Sequence, residues 1–428
     1  MKDIRYSVRA GKFRKYFITS AVGLSFVTSI YGVGGIFMTS YLLFLGATAG
    51  QIGFLAAIPE LTNVIQIFSI MVYRKYKSRK KVLIVLRILQ YIFMYGIMVV
   101  PRIITGELQF LVIAACFFFG HVFRAVAGSG AIDWNNMFVP PEIKGRHFSK
   151  RNLIGNASYI VISLTLGAIL DSYGGEYSTY IAITAVTLVF VLLELIMYAR
   201  TDDYCSDFEE AKPLSLKNIL KKPFSHGPYK AFMIFSLGWM FARSLAMPYY
   251  TYYSKTILGL DYTYIAILGS VVAIVKIFAA GVWGGTGDKN GWRNVLSFSG
   301  YIFAGANMLW AFTSPATQFL YPVVIVTTGI FMIGANITVF NLNFELSPEE
   351  DKIMYFGLRA AVVGIFSFIA PNISGFVFRI FEDVVFQLAG MSISGYQIIF
   401  FISALGQFVA IRQFVVYLKR NGLGERHT

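Results

Sequence analysis

Five ionisable side chains lie inside long apolar stretches of the sequence, where a charge is costly. They are Glu60, His121, Arg124, Arg243 and Lys276. A charged residue near the centre of a bilayer costs roughly 2.5 to 3.5 kcal/mol on insertion scales, so such residues are candidates for function. A carboxylate or an imidazole in this setting could carry a proton, and guanidinium and ammonium groups could bind an anion.

Glu60 is the acid of this set and our first candidate for a proton carrier. Asn63 and Gln66 follow it at helical spacing. His121 lies one turn from Arg124 and is the second candidate, although a lone histidine in a helix is more often a hydrogen-bonded packing residue. Arg124 completes the proton-coupling set, because anion binding at an arginine could trigger proton uptake or release by a neighbouring group.

Three cations of the set, Arg124, Arg243 and Lys276, face this single acid. The excess of positive charge predicts a site for a carboxylate or a phosphate in surroundings of low dielectric constant. In the alternative interpretation, Arg124 and Arg243 pair with Glu60 and with backbone carbonyls, and they only hold helices together. Both interpretations remain open at this point.

The elements that must position these residues are membrane-spanning helices. Of the 428 residues, 56% are hydrophobic and 14% are charged, which is outside the range of soluble proteins of this size. The apolar runs approach the roughly 20 residues that a helix needs to cross a bilayer, and no strand-like alternation appears. We predict an all-α integral membrane protein with twelve transmembrane helices at 17–45, 49–73, 81–100, 108–134, 149–171, 178–199, 230–254, 262–285, 293–313, 318–344, 355–378 and 396–418.

The basic residues indicate how these helices are oriented. The net charge is +15, and most of the 37 Lys and Arg residues fall at the termini or in the even-numbered connections. Only Arg102, Lys255 and Arg379 fall on the opposite side. By the positive-inside rule both termini are cytosolic, and this topology explains the charge without nucleic-acid binding.

A polar stretch divides the chain into two halves. The predicted domains are an N-terminal six-helix bundle at 1–199, a cytosolic linker at 200–229 and a C-terminal six-helix bundle at 230–428. Within the linker, Leu216, Ile219 and Leu220 share one face, which predicts a short amphipathic helix at the membrane surface. The halves also resemble each other: residues 138–152 match 344–360, and 71–83 match 283–296. Parallel six-helix repeats of this kind are typical of secondary transporters.

Two short motifs carry a resemblance to a known family. Residues 283–296 read WGGTGDKNGWRNVL, and residues 124–131 read RAVAGSGA. The first motif fits a family signature of glycine, acid, base, glycine and base in a cytosolic turn. The second motif has the arginine and the glycines that many proton-coupled members of the same family have. The chain therefore resembles the major facilitator superfamily. The signature residues are Gly284, Asp288, Lys289, Gly291 and Arg293.

The resemblance implies a cytosolic gate at the first motif. Asp288 and Arg293 would be its working pair, with Arg359 as a second partner, and the latch would favour the outward-facing state. The first-half counterpart has Lys75 in place of the acid, so it departs from the family pattern there. The lysines of this counterpart either anchor the chain at the cytosolic membrane surface or pair with acids of the linker, and we favour the first interpretation. If they only anchor the chain, neutralising the linker acids should leave transport unchanged. The linker acids are Asp202, Asp203, Glu209 and Glu210.

The resemblance also implies a substrate cavity among the central helices. We assign substrate binding to Arg243 and Lys276, joined by Tyr31, Asn156, Trp239 and Asn336. Ser25, Thr28, Tyr159 and Tyr249 could extend this lining. By contrast, Tyr250, Tyr252 and Tyr253 are expected in an interfacial aromatic belt.

The leading hypothesis is a secondary active transporter that moves an organic anion with protons by alternating access. Efflux of amphipathic drugs, transport of a neutral sugar, and a transporter-like sensor or scaffold are the alternatives. The four histidines are scattered without metal-ligand spacing, so we expect no enzyme activity, metal or cofactor. We expect a monomer in a bacterial plasma membrane, with a small-molecule substrate, protons and lipid as its partners.

Overall fold

The apolar segments form helices, because lipid offers no partner for an unpaired backbone group. The computed structural model describes residues 7–32, 34–65, 69, 72–73, 76, 78–203, 227–348, 352–381, 386–388 and 391–424. Within these ranges, eleven helical spans are long and apolar enough to cross a membrane. The predicted all-α membrane class is confirmed, and the second predicted span, 49–73, is described only in part.

The first half of the chain supplies seven helices among the described residues. They are α1 (Val8–Tyr31), α2 (Ile36–Phe44), α3 (Ala49–Ile65), α4 (Arg79–Ile103), α5 (Glu107–Asn136), α6 (Lys144–Tyr173) and α7 (Tyr177–Ala199). A 3-10 turn, Pro141–Ile143, precedes α6. Helix α4 begins at a Ser78 N-cap, whose side chain accepts from the Lys81 N–H.

The second half supplies helices and one small hairpin. They are α8 (Gly227–Ala246), α9 (Tyr249–Thr256), α10 (Tyr262–Asn290), α11 (Trp292–Met308), α12 (Leu320–Leu346), α13 (Lys352–Phe381), β1 (Phe386–Leu388), β2 (Met391–Ile393) and α14 (Gly395–Arg420). The two strands are antiparallel, with Gln387 opposite Ser392. This hairpin is a local exception to the predicted all-α class.

Two predicted spans are interrupted helices. Gly32 leaves the helical conformation after α1, and a Cβ there would lie 2.5 Å from the Thr28 carbonyl oxygen. Gly34 then takes a φ of 80°, which favours glycine. The seventh predicted span breaks at Pro248, since proline has no N–H to continue the hydrogen-bond ladder. Polar side chains near these breaks therefore point in directions that a straight helix would not give.

The chain folds into two compact units. The first contains Met1–Ala47 and Leu61–Ala211, and the second contains Thr48–Glu60 and Lys212–Thr428. Trp134 lies at the centre of aromatic packing in the first unit, 5.5 Å from Phe17 between ring centroids. Trp239 lies in the aromatic packing of the second unit, with its ring centroid 5.4 Å from that of Phe303. Most of the predicted linker, including its amphipathic helix, Glu209 and Glu210, lies outside the described residues.

Candidate functional site

The interior of the first unit contains a cluster of polar side chains from four helices, which we call the polar cluster. Helices α4 and α7 each present polar residues one turn apart, and such residues share a helix face. Helix α5 presents His121 one turn before Arg124. The members of the polar cluster are Tyr31 of α1, Arg87, Tyr91 and Tyr95 of α4, His121 and Arg124 of α5, and Glu194 and Tyr198 of α7.

Glu194 is the carboxylate of the polar cluster, and its side chain is 1% exposed. Tyr91 donates a hydrogen bond to Glu194 Oε2, and Tyr198 donates one to Oε1 at 2.9 Å. The Arg87 Nη2 atom lies 3.9 Å from Oε1, and Arg87 Nη1 donates to Gln90 at 2.9 Å. Glu194 therefore has three donors around its two oxygens.

Sequence reasoning missed Arg87 and Glu194. Both lie several residues from the middle of their predicted spans, 81–100 and 178–199, so a criterion based on depth alone passed over them. Glu194 nevertheless stands in an otherwise apolar run, LVFVLLELIM, which was a usable signal. The expectation of a single interior acid is wrong, because Glu194 is a second one with a charged partner of its own.

Arg124 has a different environment from Arg87. Within the described part of the chain, its guanidinium makes no hydrogen bond and no ion pair, and its charge interacts with Arg87, Tyr91 and His121. Arginine carries five N–H donors and remains charged in proteins. The alternative interpretation, in which Arg124 holds helices together through an ion pair, finds no such pair among the described residues. Arg124 is thus a cation that can accept an anionic partner.

Four polar atoms of the polar cluster are buried without a hydrogen-bond partner among the described residues. They are the Tyr31 hydroxyl, Arg87 Nε, the Tyr95 hydroxyl and His121 Nε2. Tyr31 and Tyr95 meet edge to face, with their ring centroids 6.0 Å apart. His121 packs on Phe117 at 4.7 Å and bonds the Tyr31 backbone. Because buried polar groups are normally satisfied, these atoms indicate a place where a bound molecule or water completes the network.

A separate polar pocket of about 400 Å³ lies between α1 and α6. It is lined by Ala21, Leu24, Ser25, Thr28, Arg151, Asn152, Gly155, Asn156 and Tyr159. Ser25 Oγ donates to the Gly155 carbonyl at 2.8 Å, so the two helices approach closely there. The structure thus brings together four residues predicted to line a cavity, namely Ser25, Thr28, Asn156 and Tyr159. Tyr31, which was predicted with them, belongs to the polar cluster.

The second unit places Arg243 and Lys276 close enough for their charges to interact. Arg243 Nη2 lies 3.3 Å from Met332 Sδ, and the charge of Glu60 also acts on Arg243. Among the described residues Lys276 has no hydrogen bond or ion pair. Asn336 is exposed and lies one turn after Met332, on the same face of α12. These residues form a second cationic group with one acid beside it.

Other predicted aromatic positions are placed differently. Trp239 is 2% exposed inside the hydrophobic core, so the structure does not bring it to the cationic group. Tyr250 donates to Asn307 Oδ1 at 3.2 Å, and Tyr253, which is fully buried, donates to the Thr313 carbonyl at 2.6 Å. The prediction of an interfacial belt is wrong for these two tyrosines, because the break at Pro248 turns α9 toward the protein interior.

The glycine-rich turn at residues 283–296 is the junction of α10 and α11. Gly291 takes a φ of 81° there, which favours glycine. Asp288 and Lys289 are exposed, and Asp288 makes no ion pair within the described chain. Arg293 is not brought to Asp288; its backbone N–H donates to the Gly424 carbonyl at 3.0 Å. Gly424 in turn donates to Glu345 Oε1 at 3.2 Å.

Gly284 and Arg359 are the other predicted gate residues, and neither makes the contact that a gate at Asp288 would need. Gly284 has open space where a Cβ would stand, so its position does not require glycine for packing. Arg359 Nε donates to Ser236 Oγ at 3.0 Å, and its guanidinium lies 5.4 Å from the Phe232 ring centroid. The expected contact between Arg359 and Asp288 is therefore not present in this conformation.

Gly287 is the glycine of this turn that packing requires. A Cβ at Gly287 would stand 2.1 Å from the Trp292 ring, whereas a Cβ at Gly285 would meet nothing within 4 Å. The Gly287→Ala variant is expected to lose about 1 to 3 kcal/mol of stability, because the indole must move. Thermal unfolding in detergent measures this loss, with Gly285→Ala as the matched control that should not be destabilised. Equal melting temperatures for both variants would contradict the contact.

The first-half counterpart of the turn uses a linker acid. Lys75 and Lys77 lie outside the described residues, but Ser78 donates to Asp203 Oδ2, and the Lys80 N–H donates to Asp203 Oδ1 at 3.3 Å. Asp203 thus lies at the positive N-terminal end of α4. Asp202 lies 3.7 Å from Arg9, and the two side chains are 36% and 80% exposed. These contacts of Asp203 are with a hydroxyl group and a backbone N–H and not with a lysine side chain, so the pairing of the lysines with the linker acids stays a prediction.

The Asp203→Asn variant tests this contact. Loss of a charged acceptor at a helix N-terminus is expected to cost about 0.5 to 2 kcal/mol of stability. Asp202→Asn is the matched control and should change stability by less than about 0.5 kcal/mol, since its ion pair is exposed. Uptake per folded molecule should stay unchanged in both variants. Melting temperature and proteoliposome uptake measure the two quantities, and a loss of uptake in Asp203→Asn would overturn the anchoring interpretation.

Comparison with known proteins adds a family profile and structural neighbours. The profile described as Major Facilitator Superfamily matches residues 17–371 and 239–423. No curated protein sequence matches the chain. A mutant of the nucleoside transporter NupG is similar in structure, with a TM-score of 0.72, 16% identity, and coverage of 94% of this chain and 99% of that one.

Two other solved structures show the same overall likeness. A bacterial homologue of the iron transporter ferroportin, in an inward-facing state, has a TM-score of 0.72 and 14% identity, covering 96% and 99% of the two chains. The xylose transporter XylE from E. coli has a TM-score of 0.66 and 11% identity, covering 95% of each chain. At these identities the likeness shows the fold alone.

Proposed function

The chain belongs to the major facilitator superfamily, and we propose that it moves a small organic anion together with protons by alternating access. Family membership makes it a multi-pass membrane transporter of a small molecule, and not an enzyme. The anion, the symport with protons, a monomeric state and a bacterial plasma membrane are our proposals. The two six-helix bundles at 1–199 and 230–428, joined by a cytosolic linker, remain the proposed domains.

The observation that carries this proposal is the unpartnered guanidinium of Arg124 inside an apolar helix. A cation in the membrane interior without a protein counter-ion is strongly disfavoured unless another anion approaches it. The Arg243 and Lys276 group of the second unit supports the same charge preference. Both units therefore favour a negatively charged substrate over a cationic drug.

A neutral polyol is the second candidate substrate. The pocket between α1 and α6 presents Ser25, Thr28, Asn152 and Asn156, which are side chains that hydrogen-bond hydroxyl groups. XylE, one of the structural neighbours, is named a xylose transporter. Arg151 also lines this pocket. Its Nε atom donates to the Phe17 carbonyl at 3.3 Å, so one of its donors is already used within the protein.

We also propose that the turn from Gly284 to Arg293 acts as a cytosolic gate, with Lys289 and Gly291 within it. Asp288 is free to find a basic partner in another conformation, because it is exposed and has no ion pair among the described residues. Such a contact would be a surface ion pair and would contribute about 0 to 1 kcal/mol, enough to bias two states of similar energy.

Thermal stabilisation of purified protein tests the substrate class. The probes are lactate, succinate and inorganic phosphate as anions, xylose and uridine as neutral compounds, and tetraphenylphosphonium as a cation. An anion is expected to raise the melting temperature, and the same anion should accumulate in proteoliposomes under an inward pH gradient. Stabilisation by tetraphenylphosphonium alone would overturn the anion proposal. Uptake that ignores the pH gradient would overturn proton coupling.

A further inference from the structure

Glu194 has hydrogen bonds to two tyrosines but no close hydrogen bond to its cationic partner, Arg87. Both of its oxygens accept tyrosine hydroxyl groups, and Arg87 lies at 3.9 Å, beyond the roughly 2.7 to 2.9 Å of a close charge-assisted hydrogen bond. Arg87 Nε has no hydrogen-bond partner within the described chain. The ion pair is therefore present but loose, and Arg87 retains a donor for another acceptor.

Arg87 also links Glu194 to Arg124 electrostatically, because its charge interacts with both of these groups. The formal charge of these three side chains is +1 when Glu194 is ionised, from two arginines and one glutamate. An anion bound at Arg124 would cancel this excess and would compete with Glu194 for Arg87.

From this geometry we propose that Glu194 is the proton-binding residue of the first unit, and that anion binding at Arg124 draws Arg87 away and favours protonation of Glu194. This inference rests on the proposed anion transport. A proton from water adds to one carboxylate oxygen, no other bond breaks, and Glu194 becomes neutral. A neighbouring tyrosine hydroxyl can then accept from the new O–H, since a hydroxyl both donates and accepts.

The groups around Glu194 set this equilibrium. Tyr198 lies on its own helix, and Arg87 and Tyr91 lie on α4. Helix α1 faces it with Gly23, where an added Cβ would lie 3.9 Å from Glu194 Cβ, and contributes Ser20 as a partner of Tyr198. Tyr73 acts on Arg87, and α5 adds Arg124. Within the part of the chain that the structure describes, the ion pair of Glu194 is with Arg87.

Proton and anion binding are then reciprocal, because each favours the other by the same factor. When Glu194 is protonated, the two arginines carry a charge of +2, so a bound dianion such as succinate leaves this set of groups without net charge. This assignment differs from Glu60 and His121, which the sequence favoured for the same role. Glu194 is distinguished from both by its side-chain contacts, since it meets a cation and two hydroxyl donors within one unit.

Infrared difference spectroscopy between acidic and neutral pH tests the protonation directly. The wild-type protein should show the carbonyl stretch of a protonated carboxylic acid, the band should vanish in Glu194→Gln, and it should shift in Tyr91→Phe. Adding succinate or inorganic phosphate should move the midpoint of this band to higher pH. A band that persists in Glu194→Gln, or the absence of a band in the wild type, would overturn the inference.

Transport measurements separate this inference from the proposed function. In Glu194→Gln, uptake of succinate or phosphate driven by a pH gradient should fall roughly tenfold, while exchange of the same anion without a gradient persists. Glu107→Gln, at the exposed start of α5, is the matched control and should retain gradient-driven uptake. If the wild type carries neither anion, the anion proposal fails. If it carries one and Glu194→Gln responds to the gradient as the wild type does, only the role of Glu194 fails.

Discussion

The Glu194→Ala variant is expected to lose about 3 to 5 kcal/mol of folding free energy, because removing one partner of a buried ion pair leaves the other charge uncompensated. Arg87 is 4% exposed and would keep its charge in an apolar interior. The hydroxyl groups of Tyr91 and Tyr198 would also lose their acceptor. Few other single substitutions in the described chain would leave a charge and two donors unsatisfied at once.

Two matched variants separate this effect from simple loss of volume. Glu194→Gln keeps an acceptor oxygen and nearly the same shape but leaves the charge of Arg87 uncompensated, so it should lose part of the stability that Glu194→Ala loses. The double variant Arg87→Met, Glu194→Leu removes both charges and should be less destabilised than Glu194→Ala, since well-packed apolar replacements of buried ion pairs are often neutral. Unfolding in mixed micelles with increasing SDS measures all three. A double variant as unstable as Glu194→Ala would show that packing, and not charge, determines the result.

The Arg124→Gln variant is expected to reduce anion uptake about a hundredfold, since losing one partner of a buried charged contact costs roughly 2 to 5 kcal/mol. The folded protein should not be destabilised, because Arg124 makes no hydrogen bond or ion pair among the described residues. Removing it even relieves repulsion with Arg87. This combination, lost uptake with retained stability, distinguishes a substrate-binding arginine from one that holds helices together.

Initial rates of succinate and phosphate uptake measure this prediction. Arg124→Lys keeps the charge but loses the planar fork of donors, so its uptake should be intermediate. Arg200→Gln is the matched control, because Arg200 is exposed after the end of α7 and should leave uptake unchanged. An Arg124→Gln variant that transports normally would remove the main support for an anionic substrate. One that fails to fold would favour the interpretation of a helix-holding role.

The sequence predicted the membrane-helix architecture well, because hydropathy and the loss of backbone partners in lipid act locally along the chain. Arg124, His121, Arg243 and Lys276 could be selected for the same local reason. The pairing of Arg87 with Glu194 could not, since it depends on which faces of α4 and α7 meet. We selected only charged residues near the middle of each predicted span, and this criterion left out both Arg87 and Glu194.

Two other differences have structural causes. Helix α10 continues to Asn290, so Asp288 lies in its last turn and is exposed, while the Gly424 carbonyl accepts from the backbone N–H of Arg293. The spacing of the motif did not indicate that Gly424 would contact Arg293. In the same way, one proline at position 248 redirected Tyr250 and Tyr253, and composition alone placed these tyrosines at the membrane interface.

The contact of Gly424 with Arg293 and Glu345 has a practical consequence for handling the protein. Leu423 packs against the core of the second unit, and a Cβ at Gly424 would stand 3.2 Å from Arg293 Cβ. Residues 421–424, which follow α14, are therefore part of the tertiary structure of the second unit. A bulky insertion at Gly424 would pull on the α10–α11 turn that we propose as a gate, so a label should not be inserted there.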